Sequence, residues 1–99
     1  MPESAVVRFS RDMGITHREF FRTLPAALAR TPYTVQGRDV VISDDTRRLV
    51  IGLSPEGRRR IAALSLPTTQ VHFSFSGYSP QEVEQFMARF DRAFQRGGG

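Results

Sequence analysis

The sequence predicts an α+β fold, a two-layer sandwich in which two helices cover one face of an antiparallel sheet. Two segments, beginning at Thr16 and Ser79, repeat apolar residues every three or four positions, as amphipathic helices do. The segment between them alternates apolar and polar residues, which is typical of strands, and its short connections make consecutive strands neighbours. Both helices need an apolar partner, so they share one sheet face. The predicted order is β-α-β-β-β-β-α, with the four consecutive strands forming a meander.

The composition is that of one globular domain, which we expect to span residues 1–96 and to be followed by a flexible glycine tail, 97–99. Hydrophobic residues make up 39% of the chain, and eight phenylalanines are enough for a real core. The chain has no cysteine, which excludes disulfides and thiolate metal sites. No apolar run approaches the roughly 20 residues that span a bilayer, and the N-terminus lacks the pattern of a signal peptide, so we expect a cytoplasmic protein.

The first third of the chain predicts a strand and then a helix. Residues 5–10 are rich in β-branched and aromatic side chains, and residues 12–14 are typical of a turn. Thr16 and Glu19 form a capping box that opens a helix. Pro25 removes the hydrogen bond to the Phe21 carbonyl, which predicts a kink or a restart before the element closes at 31–32.

The middle of the chain predicts the meander. Residues 33–36 lead through a Gly-Arg pair into 39–43, the two aspartates at 44–45 form a turn, and residues 47–53 form a strand. Proline and glycine at 54–57 predict a tight turn, residues 58–66 a strand, 67–69 a turn and 70–77 a strand. An alternative interpretation makes Ser54 the N-cap of a short helix that reaches Leu64.

The last helix has the clearest boundaries. Ser79 fits the N-cap, Pro80 the first helical position and Glu82 the third, which together form a capping box. Glycines 97–99 end the helix after about residue 96. The residues that repeat on its apolar face are Val83, Phe86, Met87, Phe90 and Phe94.

The face of the sheet away from the helices is the leading candidate for function. Val71, Phe73 and Phe75 point inward, which turns His72, Ser74 and Ser76 outward. The neighbouring strands add Arg48 and Val50, with Val41, Gly52, Ile61, Ala63 and Ser65 as further members of this face. A plain, weakly polar face of this kind suits docking, so we expect a small non-catalytic protein-interaction module that forms a homodimer through such faces or through edge strands.

Nucleic-acid binding is the alternative function. All fourteen basic residues are arginine, and the net charge is +4. A hairpin between the two basic runs would bring five of them to one end of the sheet as a phosphate-binding patch. Acidic residues at the same turns and the lack of exposed aromatic rings on the clearest strand weigh against it. The patch residues are Arg47, Arg48, Arg58, Arg59 and Arg60.

Catalysis has the weakest support. His17 and His72 are the only histidines, and neither belongs to a zinc-binding motif. The chain has no nucleophile elbow, phosphate-binding glycine loop or dinucleotide fingerprint. We therefore expect no catalytic residue, no bound metal and no cofactor.

Overall fold

The computed structural model describes residues 6–97 and confirms the α+β class, with the helices on one face of an antiparallel sheet. The prediction that 97–99 form a flexible tail lies mostly outside these residues, and the last helix includes Gly97. The elements are β1 (Val6–Met13), α1 (His17–Ala27), β2 (Thr34–Gln36), β3 (Asp39–Ser43), β4 (Arg48–Leu53), β5 (Gly57–Ile61), β6 (Leu64–Ser76) and α2 (Pro80–Gly97).

Strand β6 lies at the centre of the sheet. The strand order is β1-β6-β4-β3-β2, so β6 pairs with β1 on one side and with β4 on the other. The predicted meander is wrong at this point, because β5 does not separate β4 from β6. Instead, β4 and β5 follow one another along β6, and residues 54–56 face only the two residues 69 and 70. The segment 54–56 therefore has one residue more than the strand it faces, which is a β-bulge, and a bulge bends the strand without ending the pairing.

The core lies between the inner sheet face and the two helices. Phe73 and Phe75 of β6 are at most 1% exposed, as their alternation with outward-pointing polar residues predicts. All eight phenylalanines belong to one network of ring contacts, in which Phe73 meets Phe90 of α2 edge to face at 5.1 Å. Fully burying one phenylalanine side chain stabilises the fold by roughly 1.5–3 kcal/mol, so the buried members of this network fix both helices against the sheet.

Both predicted capping boxes are present. The Glu19 amide donates to Thr16 Oγ1 at 3.0 Å, and the Thr16 amide donates to the Glu19 carboxylate at 3.0 Å. At α2 the Glu82 amide donates to Ser79 Oγ at 3.1 Å, and the Ser79 amide donates to Glu82 at 2.8 Å. Each box satisfies two amides that lack partners inside the helix, which explains why both starts are visible in the sequence.

Helix α1 ends earlier than predicted, at Ala27, and it contains Pro25 without a restart. The chain then turns through Ala29 and Arg30, which have φ angles of 52° and 63°. The Arg30 amide donates to the Pro25 carbonyl and the Ala29 amide to the Ala26 carbonyl, which is the Schellman arrangement. Glycine usually occupies such a position, and its absence hid the end of the helix from sequence reasoning.

Strand β1 is longer than predicted. Asp12 pairs with Gln70 and Met13 with Thr69, so the ladder continues through two of the three residues that the sequence assigned to a turn. Only Gly14 lies outside the strand. The partner strand β6 supplies hydrogen bonds along this stretch, and they outweigh the local turn preference of an Asp-Met-Gly sequence.

Residues 57–68 form a projecting two-stranded ribbon, hereafter the arm. The predicted single strand 58–66 is wrong, and so is the alternative helix, because the chain reverses at Ala62 and Ala63. The predicted turn at 67–69 is also wrong, since β6 runs straight through Pro67. Among the described strands the arm pairs only with itself, and its five residue pairs extend about 17 Å at roughly 3.3 Å per residue, in a molecule that measures 54 × 25 × 25 Å. Proline is tolerated there because this part of β6 has a single neighbouring strand.

A substitution at Gly77 tests the junction between β6 and α2. Gly77 has a φ of 80°, and a Cβ atom there would lie 2.2 Å from the Thr46 carbonyl oxygen. We expect Gly77→Ala to lower the free energy of unfolding by more than about 2 kcal/mol, because the left-handed conformation costs roughly 1–2 kcal/mol and the backbone clash adds to it. Urea denaturation measures the change.

Gly37→Ala is the matched control. Gly37 has a φ of 64°, and no atom lies within 4 Å of the added Cβ. The substitution therefore lowers the free energy of unfolding only through the left-handed conformation, by about 1 kcal/mol. Equal losses for the two variants would contradict the close approach at Gly77.

Candidate interaction surface

The structure places the five predicted face residues together on the outer face of the sheet, which is the face away from the helices. Arg48 of β4 lies directly opposite Ser76 of β6, and Val50 lies opposite Ser74. His72 lies opposite Gly52 in the next row. Strand β1 extends these rows with Val6, Arg8 and Ser10, and β3 extends them with Ser43, Val41 and Asp39.

A shallow groove of about 550 Å³ crosses the middle of this face, hereafter the outer groove. Gly52, which has no side chain, lies at its floor. A Cβ atom added to Gly52 would lie 2.9 Å from Asp39 Oδ1, so the Asp39 carboxylate occupies the space above this glycine. The Ser10 hydroxyl and His72 Nδ1 are hydrogen-bonded at 2.7 Å on the other side. Val50 and Ser74 also line the groove, so its walls are polar and its centre is partly apolar.

The arm is amphipathic. Ile61 pairs with Leu64, and Arg59 pairs with Leu66, so these four side chains lie on one side of the ribbon. The three aliphatic residues among them are exposed: Ile61 is 52% exposed, Leu64 61% and Leu66 42%. The opposite side carries the pairs Arg58–Pro67 and Arg60–Ser65. Exposed large aliphatic residues grouped in this way form an apolar patch on the arm.

Three of the residues predicted for the outer face belong instead to the arm. Ile61 lies on its apolar side, Ser65 on its basic side, and Ala63 in the turn. Leu64 and Leu66 are an even number of residues from His72 along the same strand, so the apolar side of the arm continues the outer face. The outer groove and the arm therefore form one surface, which we call the interaction surface.

Asp12 fastens the base of the arm to the sheet. Its carboxylate accepts a hydrogen bond from the Thr68 hydroxyl at 2.8 Å and forms an ion pair with Arg59. The hydrogen bond from Thr68, followed by the one from Arg59, lowers the pKa of Asp12 below its ordinary value. Both contacts link strands on the outer face, so they hold the arm in line with the sheet.

The five arginines of the predicted phosphate-binding patch do not come together. Arg48 pairs with Ser76 at one end of β6, whereas Arg58 pairs with Pro67 near the other end, roughly 30 Å away at about 3.3 Å per residue. The prediction was wrong because it assumed that β4 and a strand 58–66 were side by side. Arg58 also donates to the Ser65 side chain and carbonyl, and Arg59 is paired with Asp12.

Arg47 belongs to a separate cluster at the β3–β4 turn. It forms ion pairs with Asp44 at 3.1 Å and Glu82 at 3.4 Å, and its guanidinium lies 4.9 Å from the centre of the Tyr78 ring. Hydrogen bonds from the Thr46 amide and from Arg47 lower the pKa of Asp44, while burial raises the pKa of Tyr78. These contacts tie the turn to the start of α2, beside a cavity of about 270 Å³.

The two histidines lie in different surroundings. His17 Nε2 donates to the Ser54 carbonyl at 2.7 Å, and its amide donates to the Glu56 carboxylate at 2.8 Å, so it joins α1 to the bulge before the arm. His72 lines the outer groove. Within residues 6–97, no three histidine, aspartate or glutamate side chains come together as a metal site.

Sequence reasoning missed the arm. The exposed aliphatic residues Ile61, Leu64 and Leu66 follow an arginine run, and an Ala-Ala pair separates them without a glycine, asparagine or aspartate to mark a turn. The available signal was their spacing around residues 62–63, which places the three on one side of a two-residue hairpin.

No protein-family model matches the chain, and neither a curated protein nor a solved structure matches it significantly. Among the described helices, none is long and apolar enough to cross a membrane.

The Asp12 contacts generate a pH prediction. The pKa of Asp12 is lowered in the folded protein. Its contacts are therefore complete above the pKa of an aspartate in the unfolded chain, about 3.9, and they are lost as the pH falls through the lower pKa of the folded state. We expect the NMR amide signals of Arg59 and Thr68 to titrate in acid as Asp12 takes up its proton. In Asp12→Asn these signals should no longer titrate and should already lie near their acid positions at neutral pH.

Asp44→Asn is the matched control, because Asp44 also has a lowered pKa but lies at the β3–β4 turn. It should leave the titration of the arm signals unchanged. A titration of Arg59 and Thr68 that persists in Asp12→Asn would contradict the assigned contacts.

Proposed function

We propose that this protein is a non-catalytic interaction module that self-associates as a homodimer through the interaction surface. The observation that carries the proposal is the arm: every residue from 58 to 66 is exposed, and Ile61, Leu64 and Leu66 share one side of it. An isolated two-stranded ribbon is at best marginally stable in water, so covering its apolar side stabilises it.

The energetics favour a partner. Three aliphatic side chains that are 42% to 61% exposed still have about half of their burial free energy to gain, roughly 1 kcal/mol each at about 1.5–3 kcal/mol for full burial. A second copy brings three more, together with a second outer groove. A symmetric contact counts every favourable interaction twice, which is why twofold association is the commonest oligomer.

The charge distribution supports this choice over nucleic-acid binding. The arm has no acidic residue, and its Arg58 and Arg60 lie on one side. A ribbon that presents arginines could enter a groove of DNA. However, Arg58 contacts Ser65, Arg59 contacts Asp12, and Arg47 and Arg48 lie at the other end of the strand. The apolar side of the arm has no role in a phosphate contact, whereas a protein partner would cover it.

The expected solution state is a dimer with twice the chain mass of 11.2 kDa. We expect the mass of the wild-type protein, measured by light scattering after size exclusion, to rise to this value at concentrations well above the micromolar range, with little dependence on salt. Leu64→Asp and Leu66→Asp should give a monomer, because a buried charge without a partner opposes the contact. Circular dichroism should show that both variants remain folded, since both sites are exposed in the isolated chain.

Val35→Asp is the matched control, because Val35 is 48% exposed on β2, outside the interaction surface. This variant should remain a dimer. A wild-type monomer at all concentrations would overturn the proposal. A monomer that shifts only when a short oligonucleotide is added at low salt would replace it with the nucleic-acid alternative.

A further inference from the structure

We propose that the cavity beside Arg47, between the sheet and the helices, binds a small aromatic monocarboxylate. The cavity has a volume of about 270 Å³ and is lined by the segment after α1, by β3 and by one side of α2. Its walls include Leu28, Ile42, Phe86 and Arg89, and we call it the helix-side cavity. It lies away from the interaction surface, so this inference does not rest on the proposed function.

The helix-side cavity forms where the helices leave part of β3 uncovered. Ile42 pairs with Leu49, so the two side chains are on the same face of the sheet. Leu49 is fully buried, whereas Ile42 keeps part of its surface exposed. Helix α1 ends at Ala27, and the residues that line this side of the cavity, Leu28 and Thr31, belong to the turn after the helix. The core therefore ends in a recess above Ile42.

The apolar walls of the cavity are held in place by the core. Leu28 is 2% exposed, and Phe86 meets Phe75 edge to face at 5.5 Å. The Tyr78 ring, which also lines the cavity, meets Phe75 at 5.1 Å and the Arg47 guanidinium at 4.9 Å. Two walls are thus aromatic rings in fixed positions. An aromatic ligand gains ring contacts with them in addition to its burial.

The charges around the cavity leave one cation for a ligand. Arg47 is already engaged by two carboxylates, those of Asp44 and Glu82, at 3.1 Å and 3.4 Å. Arg89 also lines the cavity, and none of the ion pairs within residues 6–97 involves it. A guanidinium presents parallel N–H groups that match the two oxygens of a carboxylate. Gln85 lies one turn before Arg89 and lines the same cavity, so its amide is a second donor.

The ligand that fits these walls is small and has a single negative charge. Pockets for drug-sized molecules begin at roughly 300 Å³, so the helix-side cavity suits a smaller molecule. Arg47 and its two carboxylates together have one net negative charge, which opposes a ligand with two. A carboxylate therefore suits the site better than a phosphate monoester, which has about −1.5 to −2 charge at neutral pH.

An NMR titration with phenylacetate tests the proposal, with phenylacetamide as a neutral probe of the same shape. We expect phenylacetate to shift the amide signals of Leu28, Ile42 and Tyr78 in a saturable way. The dissociation constant should be on the order of 1 mM, because the probe is small. Phenylacetamide should bind roughly five-fold more weakly, which is the upper range for an exposed ion pair. Phenyl phosphate should also bind more weakly than phenylacetate.

Arg89→Gln should remove the preference for the charged probe, so that phenylacetate binds no better than phenylacetamide. Arg92→Gln is the matched control, because Arg92 is exposed on the same helix but does not line the cavity. It should keep the five-fold preference. Leu64→Asp, which changes the arm, should bind phenylacetate as the wild type does, so the dimer and this site are tested separately.

Three results would overturn this inference. The first is the absence of saturable shifts at the cavity signals, and the second is equal binding of phenylacetate and phenylacetamide by the wild type. The third is an equal loss of preference in Arg89→Gln and Arg92→Gln, which would indicate a general effect of the net charge. None of these results would bear on the homodimer.

Discussion

The contact between Phe73 and Phe90 connects the two layers of the fold. Phe73 is on the central strand, Phe90 is in the middle of α2, and each ring is about 1% exposed. Rings that meet edge to face at 5.1 Å gain a specific attraction of roughly 0.5–1.5 kcal/mol in addition to their burial. Phe20 of α1 joins the same network through Phe94, so both helices are fixed to one side of β6. The outer face is left uncovered as a consequence.

The two halves of strand β6 have different surroundings. Its second half, from residue 69 onward, has a neighbour on each side and helices beneath it. Its first half, residues 64–68, has one neighbour and belongs to the arm. The bulge at 54–56 lets the opposite strand continue alongside both halves, while His17 and Asp12 fasten the base. The arm is therefore an extension of the most strongly packed strand, which gives its exposed aliphatic side chains a defined direction.

The features that sequence reasoning recovered are those marked by local chemistry. Capping boxes at Thr16 and Ser79 and the alternation around Phe73 and Phe75 each depend on residues close in the chain, and all are confirmed. The errors lie where tertiary pairing overrides local preference. The sequence predicts a turn at Pro67 because proline usually interrupts a sheet, and nothing in the sequence marks Ala62 for its φ of 53°. The five residues of the predicted face are together, whereas the arginine patch depended on the wrong register and is dispersed.

The central claim is that a second copy covers the apolar side of the arm. Hydrogen–deuterium exchange of residues 57–68, followed as a function of protein concentration, tests it most directly, because these amides are in an exposed ribbon in the isolated chain. The account predicts that protection of the arm rises with concentration through the micromolar range, while protection of the core of β6 stays constant. Exchange in the arm that is independent of concentration would contradict it.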